Sequence, residues 1–424
     1  MVSFKNGVLK IQRSEDNTAR TIYEICFFVN SVTLFIFNDV KFIGTASGLL
    51  MLFASMLLWI GRRAERVIIP YNTVWYTLFT AYAALSSMWS SYINADMASY
   101  FLRMVVIIAM ITSVSIYVDK PEDLERIIKL YIFSMFLIVL IEFLSVPVSD
   151  WSKGNMGSHF SGSNSNGVAF LVFCAELMAF YEFYSKNKKG YLLLVALFLA
   201  FIILSSSRKS LFAAVAGPVI FVLISIYKKN YFFNIVAILT LAALIIFFVM
   251  TDESAYNAIG KRFSSMLAFW FENRHHKVDN SLYMRSYYID LAQRMFSEAP
   301  LFGKGMGNFA KIIDEVYMLE GVYSHNNFWQ ILSELGLVGF IIYYSLYFVT
   351  IVRLIKGAFI KKSRMNMLFL TFMILLVILE TGLVTYNSKM PHVVIAIAYA
   401  STFVSEMDGR QYSYIDDNRM EESF

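Results

Sequence analysis

Residues 328–349 read FWQILSELGLVGFIIYYSLYFV, twenty-two positions with a single charged side chain, Glu334. As a helix this run is about 33 Å long at about 1.5 Å per residue. That is enough to cross the roughly 30 Å hydrocarbon layer of a bilayer. The same kind of segment recurs throughout the chain, near 21–37, 42–60, 73–90, 98–118, 127–146, 165–184, 191–206, 209–227, 232–250, 365–385 and 391–405. With the opening run, extended to 328–352, the count is twelve. Eleven or thirteen follow if the polar third segment or the nearly continuous seventh and eighth are divided differently. Composition agrees: 58 % of residues are hydrophobic, 16 % are charged, and the mean hydropathy is +0.58. A soluble domain carries about 25 % charged residues. The reading is an all-α integral membrane protein.

The first 20 residues are polar and lack the apolar core of a cleavable signal peptide. The net charge of +5 is spread over loops, and no basic cluster outside the membrane forms a nucleic-acid groove. Cys26 and Cys174 both lie in apolar segments and read as small buried hydrophobes.

Lys and Arg gather in cytoplasmic loops, which fixes an orientation. With both termini in the cytoplasm, sixteen fall in the inner loops. Five fall in the short outer ones: Lys41, Lys153, Arg208, Lys209 and Lys389. The expected organisation is a cytoplasmic tail (1–20), nine spans (21–250), one long extracytoplasmic loop (251–327), three spans (328–405) and a second tail (406–424). A loop of that length usually has a function. Asp279, Asn280 and Ser281 are N-cap candidates for a helix over 282–297. Pro300, Gly303, Gly305 and Gly307 then break the chain before a short helix near 308–319. Residues 263–271, FSSMLAFWF, suit the membrane interface.

Several side chains could carry chemistry. Arg208 sits in SSSRKS, a short outer hairpin, beside Lys209. Such a position suits a snorkelling cation or an anionic ligand such as a lipid phosphate. Arg285 and Arg294 share the loop helix nine residues apart, on opposite sides, so both cannot face one site, and spacing does not choose between them. Ser324 can cap the tenth span and put His325 in its first turn, next to Asn326. A helix N-terminus disfavours imidazolium, and a neutral ring can act as a general base; the plainer role is an interfacial histidine. Arg274, His275 and His276 have only Glu272 and Asp279 nearby, too few for a metal site. Arg103, Glu142, Glu176 and Glu380 fall inside spans, where structural pairing competes with function. The run Gly303-Lys304-Gly305-Met306-Gly307 lacks phosphate-loop spacing and reads as a turn.

Taken together, LFGKGMGNF (301–309), SHNNFWQILSELGLVGFIIYY (324–344), SSMWSSYINAD (86–96), SGSNSNGVAF (161–170), SSSRKSLFAA (205–214) and MRSYYIDLAQRMFSEAPLFGKG (284–305) resemble, in order, the motifs of the O-antigen polymerase/ligase superfamily. The resemblance implies a GT-C-type membrane glycosyltransferase of the bacterial cytoplasmic (inner) membrane, multi-pass, with its active site facing the periplasm or exterior. Its donor would be a glycan on undecaprenyl diphosphate and its acceptor a lipid-linked repeat unit, in contact with membrane lipid and with a possible chain-length regulator. The family's arginines and histidine map onto Arg208, Arg285 and His325, which selects Arg285 over Arg294. The two arginines would hold the diphosphate and His325 would take the acceptor's proton. No metal or other cofactor is implied, and the anomeric centre would invert. Asn326, Lys209, Arg103 and Arg294 are secondary candidates. The motifs favour a polymerase over a ligase that moves finished polymer onto lipid A-core. A transporter of lipid-linked glycans fits the helix count, but its halves should repeat, and these do not. Peptidoglycan glycosyltransferases share only the topology.

Overall fold

The computed structural model describes residues 2–5, 8–11, 17–36, 41–62, 70–90, 92, 95–153, 156–157, 165–225, 280–318 and 322–404. Thirteen α-helices lie in these stretches. They are α1 (Asn17–Ile36), α2 (Lys41–Arg62), α3 (Tyr71–Leu85), α4 (Ala95–Tyr117), α5 (Pro121–Ser145), α6 (Ser165–Lys186), α7 (Tyr191–Leu204), α8 (Arg208–Ser225), α9 (Asn280–Glu298), α10 (Asn308–Tyr317), α11 (Asn327–Ile355), α12 (Arg364–Leu379) and α13 (Lys389–Val404). Seven of the membrane-type segments are long and apolar enough to span a bilayer, and α7, α12 and α13 are shorter apolar helices. The chain is a helical, multi-pass membrane protein. The ninth apolar segment, residues 263–271, Arg274, His275 and His276 lie outside the described residues.

Two expectations for the N-terminal tail change. Val2–Lys5 and Val8–Ile11 form an antiparallel pair, β1 and β2, with Val2 opposite Ile11. The sequence between them is Asn6-Gly7, a strong hairpin signal. Arg20 is not a tail cation either. It is buried and ion-paired to the fully buried Asp123 of α5. Asp123 also accepts from the backbone N–H groups of Asp119 and Lys120, both at 3.2 Å. At the same end of the bundle Glu182 receives Lys186 at 2.9 Å and Lys188 at 2.7 Å. Arg126 meets Glu24 there at 3.3 Å. Arg364 donates to the Ser185 carbonyl at 3.0 Å.

The opening apolar run is not one continuous helix. At Gly336 the backbone turns to φ +64° and ψ −167°, and α11 breaks. A break strands carbonyls before it and N–H groups after it. The turn after α9 takes up both sets. Lys304 and Gly305 donate to the carbonyls of Ser333 (3.0 Å) and Glu334 (2.8 Å). Leu337 and Val338 donate to the carbonyls of Pro300 (2.9 Å) and Leu301 (3.2 Å). The fit depends on bare backbone. A Cβ on Gly303 would stand 2.4 Å from the Glu334 carbonyl, and one on Gly336 2.4 Å from the Leu301 carbonyl oxygen.

The segment after α3 packs on the other side of this turn. Ser86 Oγ accepts from Met306 N at 2.9 Å, Trp89 Nε1 donates to Phe302 O at 3.3 Å, and Asn308 Nδ2 donates to Ser90 Oγ at 2.6 Å. Motifs two hundred residues apart thus form one joint.

Replacing Gly336 with alanine combines that clash with a left-handed backbone costing an L-residue about 1–2 kcal/mol. Gly336→Ala should lose the monodisperse peak of the detergent-solubilised protein in fluorescence-detected gel filtration. Gly167→Ala, where nothing lies within 4 Å of the added carbon, should keep it. An unaltered peak for Gly336→Ala would rule out the seated turn.

Candidate functional site

The site assembles on the end of the bundle where α8, α11 and α13 begin. Helix α9 packs against α11. Its buried stripe is Tyr288, Leu291, Ala292 and Met295, which pack with Phe309, Ile313 and Trp329 in a small core of their own. These spacings of three and four residues define one helix face. Arg285 lies one turn before Tyr288 along that stripe and is half-buried, whereas Arg294 is exposed.

His325 sits beside this stripe. Its ring centroid is 4.0 Å from that of Tyr323 and 6.1 Å from that of Tyr288, stacked with Tyr288 at an interplanar angle of 22°. Neither tyrosine was singled out from sequence. Their signal was adjacency: Tyr323 is two residues from His325, and Tyr288 is three from Arg285.

The expected cap at Ser324 is replaced by another arrangement. Asn326 caps α11, its side-chain oxygen accepting from Trp329 N at 3.1 Å. Its amide also donates to the Thr381 carbonyl at 3.2 Å. Ser324 instead braces the turn, its hydroxyl donating to the Asn326 carbonyl at 2.7 Å and its N–H to Gln330 Oε1 at 2.8 Å. His325 therefore precedes the cap and is not in the first helical turn, and it takes a left-handed φ of +57°. Asn and Ser are both good caps. The residue with an N–H of α11 in reach takes the role.

Arg208 and Lys209 open α8. Lys209 Nζ donates to the carbonyl of Gly382 in the loop between α12 and α13. A Cβ on Gly382 would stand 2.3 Å from that ammonium, so the glycine makes its seat. Arg208 and Arg285 are both within electrostatic reach of Lys209, and Arg285 and Lys209 are within reach of His325. The sequence candidates Arg208, Lys209, Arg285 and His325 are therefore one cluster. Arg294 stands apart. Arg103 belongs to a different part of the same end, over the Tyr100 ring at 5.8 Å.

Burial, then the charges of Arg285 and Lys209, pushes the His325 imidazole down to about 4. The ring is neutral at pH 7, as expected, although neighbouring cations and burial do the work assigned to a helix N-terminus. A neutral ring close to fixed cations can accept a proton while the cations hold an anion.

A buried polar network holds the loop that carries Gly382. Glu380 accepts from Tyr347 (2.7 Å), Tyr344 (2.9 Å) and the Thr385 hydroxyl. Asn327 receives the N–H groups of Thr385 and Tyr386 at 2.9 and 3.0 Å. Glu334 accepts from Gln330 Nε2 and Tyr386 Oη, both at 2.9 Å. Glu380 is thus a bracing residue here. Among the described residues, no group of three or more His, Cys, Asp or Glu could hold a metal.

The family model described as O-antigen ligase matches residues 192–344. The matched stretch contains Arg208, Lys209, Arg285, His325 and Asn326. No curated protein matches the chain.

Arg285→Gln removes one of the charges that depress His325. The ring should then protonate at higher pH, its midpoint rising from about 4 toward the ordinary value of about 6.5. Ring ¹⁵N shifts of histidine-labelled protein, assigned by loss of the signal in His325→Ala, measure this. An unmoved midpoint would place Arg285 too far away to act.

Proposed function

We propose that this chain, whose residues 192–344 match the family model described as O-antigen ligase, polymerises lipid-linked oligosaccharide repeat units at the outer face of the cytoplasmic membrane. The organisation proposed with it is twelve spans, both termini cytoplasmic, and the 251–327 segment outside. The donor is a glycan on undecaprenyl diphosphate and the acceptor is a second lipid-linked repeat unit. The observation that carries the reading is the meeting of Arg208, Lys209, Arg285 and neutral His325 at one end of the bundle.

The chemistry follows from charge. An acceptor hydroxyl oxygen bonds to the anomeric carbon of the donor, and the bond from that carbon to the diphosphate oxygen breaks. The diphosphate leaves with the electron pair. Guanidiniums match phosphate oxygens in paired, charge-assisted hydrogen bonds, so Arg208 and Arg285 stabilise the charge where it develops. The hydroxyl proton goes to the unprotonated nitrogen of His325. Displacement from the opposite face inverts the anomeric centre. The positive charge comes from the protein's own side chains, so the reading requires no metal.

Transfer of finished polymer to lipid A-core is the second reading, favoured by the description of the matching family model as a ligase. Both reactions use the same donor chemistry. They part at the acceptor.

With purified protein and lipid-linked repeat units, His325→Ala should cut the rate by about 10²–10⁴-fold, the usual contribution of a general base. Arg208→Lys should not restore the activity lost in Arg208→Ala, because a lysine cannot form the paired contacts. Excess EDTA should leave the rate unchanged. Full activity in His325→Ala removes the base assignment, and loss with EDTA removes the metal-free one. In cells, deletion should leave single repeats on core; full-length polymer retained on the carrier lipid identifies the ligase instead.

A further inference from the structure

A second pair of cations lies at the same end of the bundle, away from the first. Arg103 is eight residues into α4, about 12 Å below its start, and Lys389 is the first residue of α13. Helices α2 and α4 both begin at this end and pack side by side. Their register is fixed by Gly48, where an added Cβ would come 2.9 Å from Val106 Cγ1. One turn back along each helix this brings Gly44 level with Arg103. Lys389 comes to that place too. A Cβ on Gly44 would be 3.1 Å from its Nζ, and Arg103 is the charge that acts on it.

The arrangement differs from two snorkelling side chains. A snorkelling cation reaches for the headgroups along its own path. Here Lys389 is half-buried in a space that a missing side chain leaves on α2, and Arg103 is within electrostatic reach of it. Neither has an ion-pair partner among the described residues. Like charges in a medium of low dielectric repel, and an anion between them removes the cost. The first cluster shows the same construction, with Lys209 in the space left by Gly382. The two seats are tied together. Tyr100, under Arg103, packs 3.2 Å from the Cβ position of Gly307 in the glycine turn, and the loop from Gly382 to Lys389 joins the two lysines.

We propose that Arg103 and Lys389 form a second phosphate seat, which holds the headgroup of the acceptor lipid while Arg208 and Arg285 hold that of the donor. The inference rests on the polymerase reading. Joining two carrier-linked glycans requires two lipid diphosphates at once. One leaves, and needs cations beside the base. The other stays bonded to its glycan, and needs only an anchor that presents its sugar. An exposed arginine with a half-buried lysine at the membrane edge suits the second task.

The test counts seats without requiring turnover. The full chain in phosphatidylcholine nanodiscs is titrated with undecaprenyl diphosphate bearing no sugar, and bound lipid is counted by native mass spectrometry. Wild type should bind two, Arg103→Gln/Lys389→Gln one, and Arg208→Gln/Arg285→Gln one. Arg103→Lys/Lys389→Arg should keep two, which separates loss of charge from misfolding. Two bound in the Arg103→Gln/Lys389→Gln variant, or one in wild type, overturns the proposal. Excess phosphatidylglycerol distinguishes the sources of the phosphate. If it empties the second seat alone, that seat takes bulk lipid and the acceptor assignment is wrong; if both diphosphates stay, it supports the assignment. A wild-type protein that binds two lipids but makes no polymer would instead refute the polymerase reading.

Discussion

A helix broken inside a membrane protein must have its freed backbone groups satisfied by protein, because hydrocarbon offers nothing to bond. The break at Gly336 sets that requirement, and the Pro300–Gly305 turn meets it with four hydrogen bonds to the two flanks of the break. Much else at this end depends on the joint. It ties α9 to α11, so the stripe bearing Arg285 and Tyr288 lies beside the α11 N-terminus and His325. It also gives the 86–90 segment a surface to grip. A substitution in the glycine turn would therefore disturb the site without touching any residue in it.

A second brace acts from the opposite side. Glu380 and Asn327 fix the loop after α12 to α11 through hydroxyl and backbone donors. That loop supplies the Gly382 carbonyl to Lys209 and the Thr381 carbonyl to Asn326. Lys209 at the start of α8 and the turn bearing His325 are thus held by one short segment. Sites on elements locked this way keep their geometry better than sites on free loops.

The spans were legible because crossing hydrocarbon demands about twenty apolar residues, a requirement strong enough to survive loose boundaries. The break was not. Apart from Ser333 and Glu334, residues 331–342 are apolar or glycine on both sides of Gly336, and only the partner turn thirty residues upstream reveals why the helix stops there. Arg20 misled for the same reason, since its partner Asp123 is 103 residues away. The cap failed locally: in Ser324-His325-Asn326-Asn327 several residues can cap, and tertiary contacts chose Asn326. The hairpin and the Arg285 face both have local signals in the sequence. Asn6-Gly7 announces the first, and the stripe Tyr288, Leu291, Ala292, Met295 extends back to Arg285 without any appeal to family motifs.

The two ends of the bundle handle charge differently. At one end, buried or half-buried cations meet acids: Arg20 with Asp123, and Lys186 and Lys188 with Glu182. At the other, Lys304 pairs with Glu298, but Arg285, Lys209, Arg103 and Lys389 have no ion pair among the described residues and lie within electrostatic reach of one another or of His325. Unpaired charge at a membrane edge is costly, so an arrangement that keeps it is set up for an anion that comes and goes. A transporter with a broken helix would leave the broken ends lining a cavity for its substrate. In this chain the broken ends are filled by the protein's own turn, and Arg285, Lys209, Arg103 and Lys389, which have no acidic partner among the described residues, lie at the mouth. These cations therefore lie where a lipid phosphate arrives from the bilayer, not along a path through it.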